Sequence, residues 1–141
     1  MKQYYLGIEF GSTRVKAVLI DGEHRIVKSG DYTWKSSLEN GVWTYHMEDV
    51  QAGLRTAVRN LGELPGAISA MGISGMMHGY LAFDKDWKLL APFRTWQNTM
   101  TGEAAERLTA EFGFNVPQRW SIAHLYQAVL NGEAHVKNIA H

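Results

Sequence analysis

A single carboxylate, Glu9, stands two residues before the small-residue turn Gly11-Ser12-Thr13. Backbone N–H groups in such a turn can converge on an anion. A carboxylate beside that anion can hold the Mg²⁺ that accompanies a nucleotide phosphate. The pattern therefore suggests phosphate handling, with an ordinary hairpin turn and a solvated strand-end acid as the plain alternative. Lys16 reads as an outward strand residue rather than a phosphate ligand. A second group is Met77-His78, inside the turn Ser74-Gly75-Met76-Met77-His78-Gly79 and directly after an apolar segment. α/β sheets place ligand groups beyond their strand ends, whereas a lone histidine elsewhere is usually a satisfied core residue. The segment Phe93-Arg94-Thr95-Trp96-Gln97-Asn98-Thr99 adds an aromatic and two amides.

The elements that must position these groups read as α/β. Leu6–Phe10 and Arg14–Ile20 form two strands around the glycine turn, and Arg25–Ser29 a third after Asp21-Gly22-Glu23-His24. Short links between the three imply an antiparallel meander. Trp34–Thr44 reads as irregular and aromatic, with Trp34, Trp43 and Tyr45 as packing or cleft rim. Met47, Val50, Leu54, Ala57, Val58 and Leu61 share one face of a helix, with Glu48 and Asp49 in its first turn, where the dipole favours acids. Gly62 and Pro65 stop it. Ala67–Ile73 reads as a buried strand parallel to an earlier one. Tyr80–Phe83 and Lys88–Leu90 read as a hairpin around Asp84-Lys85-Asp86. Thr101 is expected to cap a helix facing inward with Ala104, Leu108 and Phe112 and ending at Gly113. Ser121 is expected to cap another, with Leu125, Ala128 and Val129 inward and Asn131-Gly132 as its stop. The last residues, 134–141, show no clear closing element, which suggests a fragment.

Composition narrows the function classes. The 141 residues suit one domain, and 45% hydrophobic content supports a core. Fourteen basic and 14 acidic side chains balance, which argues against a nucleic-acid partner held by a basic field. Cysteine is absent, so disulfides and thiolate chemistry are excluded. The N-terminus lacks the basic and apolar regions of a signal peptide, and no apolar run is long enough to span a bilayer. A cytoplasmic protein without a membrane partner is expected.

Three segments, Gly7-Ile8-Glu9-Phe10-Gly11-Ser12-Thr13, Gly75-Met76-Met77-His78-Gly79 and Phe93–Thr99, stand in an order and spacing that resembles the N-terminal part of FGGY-type carbohydrate kinases, most nearly the xylulokinase-like members. These belong to the actin/hexokinase/Hsp70 superfamily of ATPases. The resemblance runs through nearly the whole chain. It implies an RNase H-like (actin-like ATPase) domain: a mixed sheet with a three-strand antiparallel meander and flanking helices. It also implies ATP and Mg²⁺. Gly11, Ser12 and Thr13 would bind the ATP phosphates and Glu9 the metal, while Met77, His78, Trp96 and Asn98 would bind a small sugar, expected to be a ketopentose such as xylulose. A homodimer is compatible with this reading. The resemblance places the general-base Asp, the adenosine-binding elements and the second phosphate loop after residue 141. Residues 1–141 would then be a truncated N-terminal portion with no catalytic residue of its own, inactive alone.

Two residues depart from the family pattern. Glu9 stands where Asp is usual, which moves the carboxylate by about one bond length against Mg²⁺–oxygen distances near 2.0–2.1 Å. Gln97-Asn98 stands where many members carry Asn-Asp. Two other readings compete. One is a non-catalytic sugar- or nucleotide-sensing module of the same superfamily. The other is an RNase H-like nuclease built on Glu9, Glu48 and Asp84, which the neutral charge disfavours.

Overall fold

Alternation decides the first strands. In β1 (Tyr4–Phe10) and β2 (Arg14–Asp21), Tyr4, Leu6, Ile8, Val15, Ala17 and Leu19 are buried. The residues between them point to the other face, as the period of two requires. β1 and β2 pair antiparallel, and β3 (Ile26–Thr33) pairs antiparallel with β2, so the meander is present. β3 starts after Arg25 because that residue belongs to the turn. The Asp21 carboxylate accepts the Glu23 and Arg25 N–H groups at 3.0 Å and Arg25 Nε at 2.9 Å. The Arg25 backbone bond, followed by the Arg25 side chain, holds the Asp21 carboxyl below its usual range.

The computed structural model describes residues 2–141. The chain divides into two units, Met1–Lys35 with Met47–Met76 and Ser36–His46 with Met77–His141. In the first unit α1 (Met47–Arg59) packs on β2 and β3. The approach is close enough that a Cβ on Gly30 would lie 2.2 Å from Ala57 O. β6 (Ile68–Gly75) runs parallel to β1, giving a mixed sheet of order β3-β2-β1-β6. The apolar run over Ala67–Ile73 predicts a buried strand, but β6 is exposed throughout, Ile73 by 65%. The reason is that α1 lies over β2 and β3 and leaves β6 uncovered.

The second unit holds a hairpin where the sequence reads as irregular. β4 (Ser37–Glu39) and β5 (Val42–Thr44) pair antiparallel around Asn40 and Gly41, with φ of 49° and 80°. Two positive φ values at Asn-Gly are the signature of a tight hairpin turn. The expected hairpin of Tyr80–Phe83 with Lys88–Leu90 is present only as an isolated bridge, Phe83 to Leu89, while Tyr80 bridges instead to Arg94, beyond it. Its turn is closed by the Asp84 carboxylate on the Asp86 and Lys88 N–H groups, each at 2.9 Å.

α2 (Gly102–Phe112) begins after Thr101 and ends at Gly113, whose φ is 68°. Thr101 does not cap it through its side chain. Its hydroxyl donates to Gln118 O at 2.5 Å, and the Ala104 N–H is satisfied by Gln127 Oε1 at 3.1 Å. Ala104 and Ala105 are buried, whereas Phe112 is exposed. α3 (Ser121–Leu130) has Trp120, not Ser121, at its N-cap position. Its inward face is Ala123, His124, Gln127 and Ala128; Leu125 and Val129 point outward. Small residues and one glutamine serve where α3 packs on α2, the Gln127 side chain supplying the acceptor for the Ala104 N–H. After α3 the chain forms a short 3₁₀ turn, Ala134–Asn138. Phe83 N–H then donates to His141 O, and Phe83 O accepts the Ala140 and His141 N–H groups.

Candidate functional site

The first unit places Glu9 at the end of β1, directly opposite Lys16 in the antiparallel register. Its side chain is half exposed, on the sheet face away from the buried residues, and Lys16 Nζ lies 3.0 Å from Glu9 Oε2. That ion pair is readable only once the register is known. Glu9 Oε1 lies under the turn, 3.7 Å from where a Gly11 Cβ would be. The Gly11 N–H donates to Arg14 O at 2.9 Å, closing the β1–β2 hairpin, so that group is spent on the turn. Ser12 and Thr13 are exposed. Trp34 braces the turn from below. Its Nε1 donates to Gly11 O at 2.7 Å, its N–H donates to Thr13 O at 3.1 Å, and its ring lies 6.3 Å from Phe10.

Mg²⁺ keeps several waters and takes one or two carboxylates together with substrate phosphates. One accessible carboxylate beside an exposed turn fits that donor set, with Lys16 as a competitor for one oxygen. Among the described residues there is no cluster of three His, Cys, Asp or Glu that would form a complete protein cage.

The second unit carries the remaining candidates. Met77 is 72% exposed. His78 has φ of 68°, and its ring stacks on Trp120, 6.1 Å between centroids and 12° apart. The turn is fixed at Gly79, where a Cβ would fall 2.7 Å from the Phe93 ring. Trp96 is 45% exposed. Asn98, read from sequence as a sugar ligand, is buried with its amide on backbone. Trp43 N–H donates to its Oδ1 at 2.8 Å, and Nδ2 donates to Trp43 O at 2.8 Å and Thr95 O at 3.0 Å. The partnership with Trp43, 55 residues away, has no local signal in the sequence.

Behind these residues lies a buried polar group that the sequence did not announce. Arg94 pairs with Glu133 and sits over the Tyr80 ring at 5.3 Å. Tyr80 Oη meets His135 Nε2 at 2.7 Å, and the Tyr80 ring stacks on His124 at 6.0 Å. Arg94 Nε and Nη1 and both His124 ring nitrogens are buried without a hydrogen-bond partner. Burial, and then the Arg94 charge, push the His124 pKa from 6.5 down to about 4, with Glu133 pulling the other way. Burial raises the Glu133 carboxyl, but the Arg94 bond and charge outweigh it and leave it below its ordinary value.

Comparison with known proteins decides the family. Residues 4–125 match the FGGY family of carbohydrate kinases, N-terminal domain. The chain belongs to that family. A glycerol kinase from Thermococcus gammatolerans is 28% identical over 118 residues, covering 80% of this chain and 24% of the relative. A xylulose kinase from Klebsiella pneumoniae is 28% identical over 107 residues, covering 74% of this chain and 22% of the relative. A crystal structure described as a xyloylose kinase from Brucella ovis superposes with a TM-score of 0.84 at 25% identity, covering 96% of this chain and 31% of that one. This FGGY chain thus spans about a quarter of the length of the curated relatives it matches. Its fold is that of the actin-like ATPase carbohydrate kinases. No described helix is long and apolar enough to cross a membrane.

Proposed function

We propose that these residues are the N-terminal portion of a cytoplasmic, ATP-dependent kinase that phosphorylates a hydroxyl of a small sugar, a ketopentose such as xylulose. The observation that supports the sugar-kinase reading is the family match over residues 4–125, which takes in all three motif segments; the ketopentose comes from the motif resemblance alone. Phosphoryl transfer asks a protein mainly to position substrates and stabilise charge. Mg²⁺ would supply charge neutralisation when bound, and Glu9 would hold it directly or through water. The exposed Ser12-Thr13 stretch of the turn would meet the phosphate oxygens, with Gly11 shaping the turn. Met77 would lie against the carbon face of the sugar, His78 would hydrogen-bond a hydroxyl, and Trp96 would stack on C–H groups. By the family resemblance the general base would lie in the part of the relatives' length that this chain does not match, so the 141 residues alone are expected to be inactive. Sugar-dependent ADP production by them would count against that assignment.

The test is ADP release with Mg-ATP by the complete kinase across ketoses, aldoses and polyols. Turnover with one class supports the reading and names the substrate. The Glu9–Lys16 ion pair favours one second reading, a module that binds sugar or nucleotide without transfer. Binding without turnover by the folded complete protein would select it.

A further inference from the structure

We propose that Asn98 is a positioning residue, setting how Trp96 meets the sugar by clamping the backbone of Trp43, without touching the ligand. The proposal rests on the kinase reading above. Asn98 is 3% exposed. Its Oδ1 accepts one hydrogen bond, and its Nδ2 donates both of its protons to Trp43 O and Thr95 O. An amide carries two such protons, so none is left for a sugar hydroxyl.

Trp43 presents its N–H and its C=O together, and only a side chain that both donates and accepts can pair with both. A carboxylate at 98 could accept from the N–H but would face two carbonyl oxygens. This gives the Asn98 departure from the common Asp a physical meaning within this chain. Two further bonds stitch the same segments: Thr95 N–H to Trp43 O at 3.1 Å and Ser36 Oγ to Gln97 Oε1 at 2.7 Å. Thr95 and Asn98 are both buried, and Trp96 between them is turned outward. The hairpin β4–β5 is therefore fastened to the turn that displays Trp96.

Two measurements test this. With 5-fluorotryptophan in the 141-residue chain, ¹⁹F NMR of Asn98→Ala is expected to shift Trp43 and Trp96 and leave Trp34 and Trp87 in place. An unmoved Trp96 resonance overturns the proposal. If Asn98→Ala does not fold, Ser36→Ala removes the outer stitch instead, with a smaller shift of the same two resonances expected and none overturning it. In the complete kinase, Asn98→Ala is expected to raise the sugar KM about tenfold, with kcat and the ATP KM within about twofold, as loss of uniform binding requires. That effect should vanish in a Trp96→Ala background, because coupled residues are not additive. An undiminished effect there means that Asn98 acts on the sugar directly and overturns the proposal. Failure of the kinase reading would show separately, as wild-type protein without sugar turnover, while the resonances still test the clamp.

Discussion

Replacing Glu133 by Gln should cost unit Ser36–His46/Met77–His141 more than any surface change. The Arg94 side chain is 8% exposed, and two of its three nitrogens have no partner. Glu133 is the carboxylate paired with it, itself 25% exposed. Glutamine keeps the shape and an acceptor oxygen but removes the compensating charge. Removing one partner of a buried pair costs about 3–5 kcal/mol. The partial exposure of Glu133 and the Tyr80 ring, worth about 1 kcal/mol to a cation, place the expected loss at the low end, about 3 kcal/mol. Urea unfolding followed by tryptophan fluorescence would read it as a lower midpoint at unchanged slope. The double replacement Arg94→Met with Glu133→Leu should recover most of the loss, since an apolar pair of similar volume is often neutral or better. A loss below about 1 kcal/mol for Glu133→Gln, or a double variant as unstable as the sum of the singles, would refute the reasoning.

Three further outcomes follow from the same packing. Unfolded His124 takes up a proton below pH 6.5 while the folded residue resists until about pH 4, so its contribution is full above 6.5 and is lost as pH falls between those values. At 1.36 kcal/mol per pH unit this is about 3 kcal/mol, and urea midpoints for His124→Leu across that range should show a shallower pH dependence. Gly30→Ala should be severely destabilising, by about 3 kcal/mol or more, because its Cβ would lie 2.2 Å from a backbone oxygen; thermal unfolding measures it. Gly79→Ala should cost about 1–3 kcal/mol by displacing the Phe93 ring, and, on the proposed sugar role of His78, it should also raise the sugar KM of the complete protein.

The meander was legible because β1 and β2 keep strict alternation, and α1 because its apolar residues repeat at three, four and seven. The Asn40-Gly41 hairpin was missed: its turn residues carry a signal, but the aromatics around it made the stretch read as irregular. β6 misled because an apolar run reports suitability for burial, not which element supplies the cover. α3 misled for a different reason. A helix whose inward face is Ala, His and Gln defeats hydrophobic periodicity, since its partners are a polar cluster and a second helix. The candidate site divides the same way. Residue types at Glu9, His78 and Trp96 suggested chemistry locally. The Lys16 pair on Glu9 depends on the exact register of the β1–β2 hairpin, and the Trp120 stack on His78 and the Trp43 clamp by Asn98 join segments distant in sequence, which local patterns do not encode.

The most direct test of the proposed function is to incubate the complete protein with Mg-ATP and each sugar of the panel, and to look for a sugar monophosphate by ³¹P NMR alongside ADP. One sugar class should give a stoichiometric monophosphate, and Glu9→Gln should reduce its formation sharply. Folded protein that binds ATP and sugar yet yields no sugar phosphate, or ADP formed without any, would contradict the assignment as a sugar kinase.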